Sequence, residues 1–298
     1  MKAIVVSEFG GPEVLTPQTV PTPTPQPGYA IIRIKAFGVN HAEMHMRRGE
    51  WAEAMPIIGI ECVEYTKAPV RNVVALGQKE EDVDMEWGEV AAIPESYATA
   101  WTCLFRNLEV KEGQRLLIRG ATSAFGQAAI NLAVQAGVDV VGTTRKEERF
   151  EYLRKLGVKD VWLEGSNLSQ RIADAGMGKF DAVLELVGNS TLLDSLKLVR
   201  RGGRLCLAGF LGGLAPIAEF NLLLQMASGV HFSFFGSFVF GTPEFPLDDV
   251  PLESIIRAVA AKKFKAEPSR VFKFDEIQEA HRVMEANAAN GKMAVTLE

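Results

Sequence analysis

Residues 116–128 have the sequence LLIRGATSAFGQA, a short apolar strand followed by a turn of small residues and the beginning of a helix. A dinucleotide needs such a turn, because backbone N–H groups must approach its diphosphate closely at a helix N-terminus. The usual glycine pattern is reduced here to Ala121, Ser123 and Gly126. The turn alone therefore suits an ordinary strand-to-helix connection equally well, and its position between strand and helix favours a phosphate site.

The next predicted strand, Val138–Thr143, ends in the sequence Thr-Thr-Arg-Lys at residues 143–146. Proteins that prefer NAD carry an acidic residue about twenty residues after the turn, where it binds the ribose 2′-hydroxyl. Thr143, Arg145 and Lys146 instead offer a hydroxyl and two cations, which suit a 2′-phosphate. A solvated helix start is the alternative interpretation. Together with the turn, the cluster predicts that the cofactor is NADPH.

Short apolar strands alternate with helices outward from this turn, which predicts an α/β fold with a doubly wound parallel sheet. Besides the two strands above, we predict strands at 161–163, 182–186 and 205–208. The spacing of apolar residues predicts helices within 97–108, 126–136, 147–156, 168–175 and 191–198.

The two ends of the chain have a different pattern. Ile4–Val6 and Ala30–Ala36 are predicted strands, joined by a connection whose alternating prolines, residues 21–27, favour an extended chain. Near the C-terminus, a helix is predicted over residues 252–259 and a closing strand over 294–297. Asp275 and Gln278 are predicted to form a capping box at the start of a further helix.

Composition excludes several classes of protein. The 298 residues carry a net charge of −5, which gives no electrostatic reason to expect a nucleic acid or an anionic membrane as partner. The three cysteines, Cys62, Cys103 and Cys206, are too scattered for a disulfide framework. The longest apolar run, residues 205–218, contains three glycines and a proline and cannot span a membrane. The N-terminus lacks the pattern of a signal peptide, so a cytoplasmic location is expected.

Several short motifs carry a family resemblance over nearly the whole chain. They are Gly38-Val39-Asn40 with Glu43, Gly59-Ile60-Glu61, Thr99-Ala100-Trp101, the turn above, Glu185-Leu186-Val187-Gly188, Gly202-Gly203 with Gly209, and Gly291-Lys292. In this order they resemble the zinc-free quinone oxidoreductase branch of the medium-chain dehydrogenase/reductase superfamily.

The resemblance implies a domain organisation and an activity. A reduced GroES-like β-rich domain is expected at residues 1–94, completed by 268–298, around a Rossmann domain at 95–267. NADPH would bind between the two domains, and its hydride would pass to a quinone or an α,β-unsaturated carbonyl. The protein's part in such a reaction is orientation and polarity, since the reactive atom belongs to the cofactor.

The same resemblance, transferred position by position, implies the cofactor-binding residues. Asn40 and Thr99 would lie near the nicotinamide. Ser123, Ala124, Phe125 and Gly126 would bind the diphosphate, Thr143, Arg145 and Lys146 the 2′-phosphate, and Val187, Gly209 and Phe235 would line the nicotinamide pocket. No catalytic side chain is identified. Tyr65 and Tyr97 are candidate proton donors only because phenols can donate, and solvent would suffice.

A metal site is not expected. Zinc-dependent relatives have a cysteine at the position of Asn40 and a histidine at that of Ile60, and neither residue present here is a zinc ligand. His41 and His45 have the i, i+4 spacing of helical ligands, but no third ligand is evident. His281 lies on the apolar face of the last helix and is predicted to be a packed core residue.

One departure from the family pattern concerns the N-terminal domain. Residues 59–63 continue directly into residues 64–67, and on the order of thirty residues are missing compared with the usual domain size. The loss leaves two alternatives: a wider cleft that still supports hydride transfer, or a fold reused for another purpose. A strand edge exposed by the loss would need cover, and a homodimer formed near the aromatic stretch 230–240 would provide it. A buried sheet strand is the alternative for that stretch.

Three functions follow from these alternatives. The first is an NADPH-dependent reductase of quinones or enones acting on a small-molecule substrate. The second is a non-redox enzyme, such as a cyclase or isomerase, or an NADPH-binding sensor on a reductase scaffold. The third is a chain that folds and has little activity.

Overall fold

The computed structural model describes residues 1–51, 57–58, 66–74 and 84–297. Its strands are β1 (Lys2–Val6), β2 (Leu15–Thr19), β3 (Tyr29–Ile32), β4 (Ala36–Val39), β5 (Thr66–Pro69), β6 (Arg115–Arg119), β7 (Asp139–Thr144), β8 (Asp160–Leu163), β9 (Phe180–Glu185), β10 (Val199–Leu207), β11 (His231–Phe234), β12 (Arg270–Lys273) and β13 (Met293–Thr296).

The α-helices are α1 (His41–Arg47), α2 (Trp87–Ala91), α3 (Pro94–Thr102), α4 (Ala124–Gln135), α5 (Phe150–Lys155), α6 (Leu168–Asp174), α7 (Asn189–Leu198), α8 (Leu222–Gln225), α9 (Leu252–Ala260) and α10 (Ile277–Glu285). A π-helical turn, Cys103–Asn107, follows α3. Short 3-10 turns are Pro12–Val14, Val70–Asn72, Glu147–Arg149, Ser237–Val239, Leu247–Asp249 and Phe274–Glu276. None of the helices in the described ranges has the length and apolar character to cross a membrane.

Contacts divide the chain into two units, one formed by residues 1–98 with 238–298 and the other by 99–237. The boundaries expected from the sequence, 94/95 and 267/268, differ from these limits and stay a prediction for the domain organisation. The apparent junction of the shortened segment, together with Gly59-Ile60-Glu61, Cys62 and Tyr65, lies outside the described residues.

The unit of residues 99–237 is built on a parallel sheet. Within the described residues its strand order is β11-β10-β9-β6-β7-β8 and every neighbouring pair is parallel. The central strands bury apolar side chains, such as Leu117, Val141 and Val183, with exposures of 0–2%. This architecture confirms the predicted α/β doubly wound fold. All strands of a parallel sheet end at one edge, so the loops that follow β6, β7, β9 and β10 meet there.

The unit of residues 1–98 and 238–298 contains three small sheets, namely β1-β2, β3-β5 and β12-β13-β4. Here the single strand predicted over Ala30–Ala36 is wrong. Tyr29–Ile32 pairs antiparallel with β5, whereas Ala36–Val39 pairs antiparallel with β13. Residues 33–35 carry the chain from one sheet to another. Apolar and polar residues continue to alternate through residues 33–35. The sequence pattern therefore does not reveal that the strand ends there and that the next strand pairs with a different partner.

The predicted capping box of Asp275 and Gln278 is also wrong. Residues 274–276 form a 3-10 turn, in which the backbone N–H of Lys273 donates to Glu276 Oε2 at 2.8 Å. The Gln278 side chain instead donates to the backbone carbonyl oxygens of Glu13 and Leu15, at 3.3 and 3.1 Å. Gln278 therefore ties α10 to the N-terminal segment.

Candidate dinucleotide site

The turn between β6 and α4 is shaped by its own hydrogen bonds. Ser123 is the N-cap of α4, and its Oγ accepts from the backbone N–H of Gly126 at 3.0 Å and donates to the carbonyl oxygen of Gly120 at 2.9 Å. Gly120 has a φ of +83°, in the region that favours glycine. A Cβ on Gly126 would lie 2.6 Å from the Gly120 oxygen and 2.7 Å from the Ala121 oxygen. The turn closes this tightly only with glycine at position 126.

The turn presents free donors. Within the described part of the chain, the backbone N–H groups of Thr122, Ala124 and Phe125 have no partner, whereas those of their neighbours are bonded. Residues 122–125 are partly exposed. Helix α4 has twelve residues, so the positive end of its dipole points toward the same place. These three amides at a helix N-terminus fit a diphosphate.

Arg145 and Lys146 follow β7 with exposed side chains, and no ion pair involves either of them among residues 84–297. Thr144 is buried, and its hydroxyl accepts from the Lys146 backbone N–H at 3.3 Å. Two cations thus lie after the strand next to β6, at the edge of the sheet where the phosphate turn lies.

Thr143 is different, because it is fully buried. Its Oγ1 accepts from the Gly120 backbone N–H at 3.0 Å and donates to Glu164 Oε2 at 2.7 Å. In the sequence analysis Thr143, like Arg145 and Lys146, is a predicted phosphate ligand. In the structure its hydroxyl is bonded to Gly120 and Glu164 inside the protein. Contact of this residue with a 2′-phosphate stays a prediction.

A buried guanidinium lies beneath the turn, and no local sequence pattern predicts it. Arg119, the last residue of β6, donates to both Glu164 oxygens, to Asp194 Oδ2 at 3.0 Å and to Ser195 Oγ at 3.0 Å. Its Nε lies 3.9 Å from Glu185 Oε2. One arginine therefore joins the ends of β8 and β9 to α7.

Burial and charge set the pKa values of this cluster. Burial raises the pKa of Glu185 above its usual value, against the opposing effect of Arg119 and of hydrogen bonds from Ser195, Gly188 and Val187. For Glu164, burial acts in the same direction, but the hydrogen bond and the charge of Arg119 outweigh it and leave the pKa below its usual value. Glu164 is thus held as a carboxylate.

The residues expected at the nicotinamide pocket lie in the loops after β9, β10 and β11. Glu185 Oε1 accepts the backbone N–H of Val187 at 2.7 Å and that of Gly188 at 3.1 Å, which fixes the loop after β9. A Cβ on Gly209 would lie 2.8 Å from the backbone oxygen of Leu186. Phe235 is buried, with its N–H bonded to the carbonyl of Leu207 at 3.0 Å. The unit of residues 99–237 therefore brings Ser123–Gly126, Thr143–Lys146, Val187, Gly209 and Phe235 to one edge of its sheet.

Asn40 and Thr99 lie in different units. Asn40 is the buried N-cap of α1, where its Nδ2 donates to Glu43 Oε1 at 3.2 Å and its Oδ1 accepts from Lys292 Nζ. Lys292 also lies 3.7 Å from Glu95 Oε2. Thr99 is buried in α3. The placement of both residues near a nicotinamide stays a prediction.

Among the described residues, no group of three or more histidine, cysteine, aspartate or glutamate side chains has the geometry to hold a metal ion. His45 Nδ1 pairs with Glu50, and its ring lies 5.4 Å from that of His41. Burial, together with the charges of His45 and Arg48, lowers the pKa of His41 to about 4. His41 is therefore neutral at neutral pH.

Comparison with known proteins gives relatives along the whole chain. The family model described as zinc-binding dehydrogenase matches residues 124–251. Quinone oxidoreductase of Rattus norvegicus is 30% identical over 247 residues, covering 72% of this chain and 74% of that protein. Quinone oxidoreductase of Pongo abelii is 27% identical over 338 aligned positions, covering 100% of this chain and 98% of that protein. Because the chain has 298 residues, the second alignment includes positions that it lacks.

Solved structures share the fold. A mycobacterial protein in complex with NADPH matches with a TM-score of 0.83 at 21% identity, and the match covers 100% of both chains. At this identity the likeness shows the fold alone.

Proposed function

The chain belongs to the quinone oxidoreductase-like family of the medium-chain dehydrogenase/reductase superfamily, and from this premise we propose that it is an NADPH-dependent reductase of quinones or α,β-unsaturated carbonyl compounds. The family comprises oxidoreductases that bind NAD(P) and act on small molecules. The choice of NADPH, the substrate class and the independence from zinc are the parts that we propose.

The observation that carries the proposal is the edge of the parallel sheet. In the part of the chain that the structure describes, the amides of Thr122, Ala124 and Phe125 at the N-terminus of α4 have no partner, and Arg145 and Lys146 after the adjacent strand form no ion pair. The amides suit a diphosphate and the cations a 2′-phosphate. A carboxylate that would bind a 2′-hydroxyl is absent from residues 143–146.

When bound, NADPH supplies the hydride. The chain's residues bind and orient it: the turn amides hold the diphosphate, and Arg145 and Lys146 hold the 2′-phosphate. Glu185 fixes the loop of Val187 and Gly188, which we propose lies against the nicotinamide. Asn40 and Thr99 are proposed for the same end of the cofactor. We assign no side chain as proton donor.

Titration with NADPH and NADH side by side, followed by turnover with a panel of quinones and enones, tests the proposal. NADPH should bind more tightly, and its near-ultraviolet absorbance should fall when an acceptor is added. Binding without turnover of any acceptor would favour an NADPH sensor. A reaction that continues after NADPH is removed would favour a cyclase or isomerase.

Replacing both cations, in Arg145→Ala/Lys146→Ala, should weaken NADPH binding by about 2–3 kcal/mol and leave NADH binding nearly unchanged. The matched control is Arg200→Ala/Arg201→Ala, which removes two neighbouring exposed cations near the amino end of β10, away from the phosphate turn. Calorimetric titration of both cofactors measures the difference. An equal loss for NADPH and NADH would contradict the assignment of the 2′-phosphate site.

We also propose a homodimer formed through β11. A buried sheet strand was the alternative for this stretch, but among the described residues β11 is the edge strand of its sheet and exposes His231, Phe232 and Phe234. The nearby leucines of α8, Leu222–Leu224, are exposed as well. Within the described residues the outer edge of β11 pairs with no strand, and an open strand edge with exposed apolar side chains favours association with a second copy. Sedimentation velocity at micromolar concentration should give a dimer, and a monomer would contradict this proposal.

The cytoplasmic location stays a prediction.

A further inference from the structure

We propose that Thr143 is a positioning residue, which holds the phosphate-binding turn in its binding shape through Gly120 and makes no contact with the 2′-phosphate. The inference rests on the proposed function, since it concerns the affinity for a dinucleotide. It separates Thr143 from Arg145 and Lys146, although the three residues lie in one short segment.

The hydrogen-bond directions at Thr143 carry the argument. A hydroxyl has one hydrogen to donate, and that of Thr143 goes to Glu164 Oε2 at 2.7 Å. The hydroxyl oxygen of Thr143, Oγ1, also accepts from the Gly120 N–H at 3.0 Å. A phosphate needs donors, and Thr143 has no second hydrogen to offer. Its side chain is also fully buried.

Glu164 fixes these directions. Arg119 donates to both of its oxygens, and the Gly165 backbone N–H donates to Oε1 at 3.0 Å. A carboxylate held in this way only accepts, so the hydroxyl of Thr143 must donate to it. The lowered pKa of Glu164 agrees with the ionised state. Toward the turn, Thr143 Oγ1 therefore acts only as an acceptor, for the Gly120 N–H.

Hydrogen bonds within the turn connect the Thr143–Gly120 contact to the amides that are proposed to bind the diphosphate. The Ala121 N–H donates to the Thr143 carbonyl at 3.0 Å, so two successive residues of the turn are attached to β7. The carbonyl oxygen of Gly120 accepts from Ser123 Oγ, which in turn caps Gly126. These bonds use the neighbouring amides and leave those of Thr122, Ala124 and Phe125 for a ligand. Without the hydroxyl, the turn has to be ordered when the ligand binds.

Thr143→Val removes the hydroxyl and keeps the branched shape. We expect NADPH, NADH and ADP to bind about tenfold more weakly, because all three contain the diphosphate. Thr143→Ser keeps the hydroxyl and should restore most of the affinity. The matched control is Thr144→Val. In the wild-type protein the Thr144 hydroxyl contacts the Lys146 N–H and not the turn, so its removal should leave NADH and ADP binding unchanged.

The outcomes separate this inference from the proposed function. If Thr143→Val weakens NADPH alone, Thr143 is a ligand of the 2′-phosphate and the inference is wrong. Unchanged binding of all three ligands would overturn it too. A wild-type protein that binds none of them overturns the proposed function, and the inference with it.

Amide hydrogen exchange in the wild-type protein without nucleotide tests the same contact and does not depend on how the variant folds. The Gly120 amide should exchange at least tenfold more slowly than the Thr122 amide, since of the two only Gly120 has a partner among the described residues. Equal exchange at the two positions would show that the Thr143 contact does not hold the turn.

Discussion

Arg119→Met should lower the free energy of unfolding by about 3–5 kcal/mol, the usual cost of removing one partner from a buried ion cluster. The substitution keeps the aliphatic stem and removes the guanidinium. Glu164 and Asp194 then lose their cation, and Glu185, which is fully buried, loses its nearest positive charge. Burial lowers the pKa of Arg119, but the hydrogen bond of Glu164 and the surrounding carboxylates raise it above its usual value. Arg119 is therefore charged in the native state.

Urea unfolding monitored by circular dichroism measures this effect. The matched control is Arg200→Met, which breaks an ion pair with Asp181 at the surface and should cost less than about 1 kcal/mol. Arg119→Lys should recover only part of the loss, because an ammonium lacks the planar fork that reaches several acceptors at once. Equal losses for Arg119→Met and Arg200→Met would show that the buried cluster does not stabilise the fold.

The parts of the fold that depend on local signals could be predicted from the sequence. The strand predicted at 116–118 is observed as Arg115–Arg119, and the helix predicted at 126–136 as Ala124–Gln135. The strand follows from a short continuous apolar run, and the helix from a stretch of small residues that Gly137 closes. The helix begins earlier than predicted because Ser123 caps it. A serine three residues before Gly126 is a sequence signal for such a cap, although the resemblance implied for Ser123 only a role as a phosphate ligand.

The buried contacts that hold the candidate site in place could not be predicted, because they join residues that are distant in sequence. Arg119 meets Glu164, Glu185 and Asp194, which lie 45 to 75 residues further along the chain. An arginine at the end of an apolar strand gives no hint of its partners. The role of Thr143 was hidden for the same reason, since the direction of its hydroxyl is set by Glu164. Chemistry that depends on pairing across the sheet appears only once the topology is known.

Acid should destabilise the protein through His281, with the free energy of unfolding falling by up to about 1.4 kcal/mol per pH unit below pH 6.5. His281 is buried on α10, and within the described residues its Nδ1 has no hydrogen-bond partner. Burial, with a smaller effect from the charge of Arg47, lowers its pKa from 6.5 to about 3. Between pH 6.5 and about pH 3, His281 binds a proton in the unfolded chain and stays neutral in the folded chain. Its contribution to stability is therefore complete above pH 6.5 and is lost as the pH falls toward 3.

His281→Leu places an apolar side chain of similar size on the apolar face of α10 and removes this proton. Relative to wild type, the variant should gain roughly 2 kcal/mol between pH 6.5 and pH 4.5, as measured by urea unfolding at each pH. His231→Leu is the matched control, because it makes the same replacement at a position that is exposed on β11. The wild-type slope should exceed that of one proton, since His41 is also neutral in the folded state. If His281→Leu and wild type lose stability in parallel, the buried neutral state of His281 is not what makes the fold sensitive to acid.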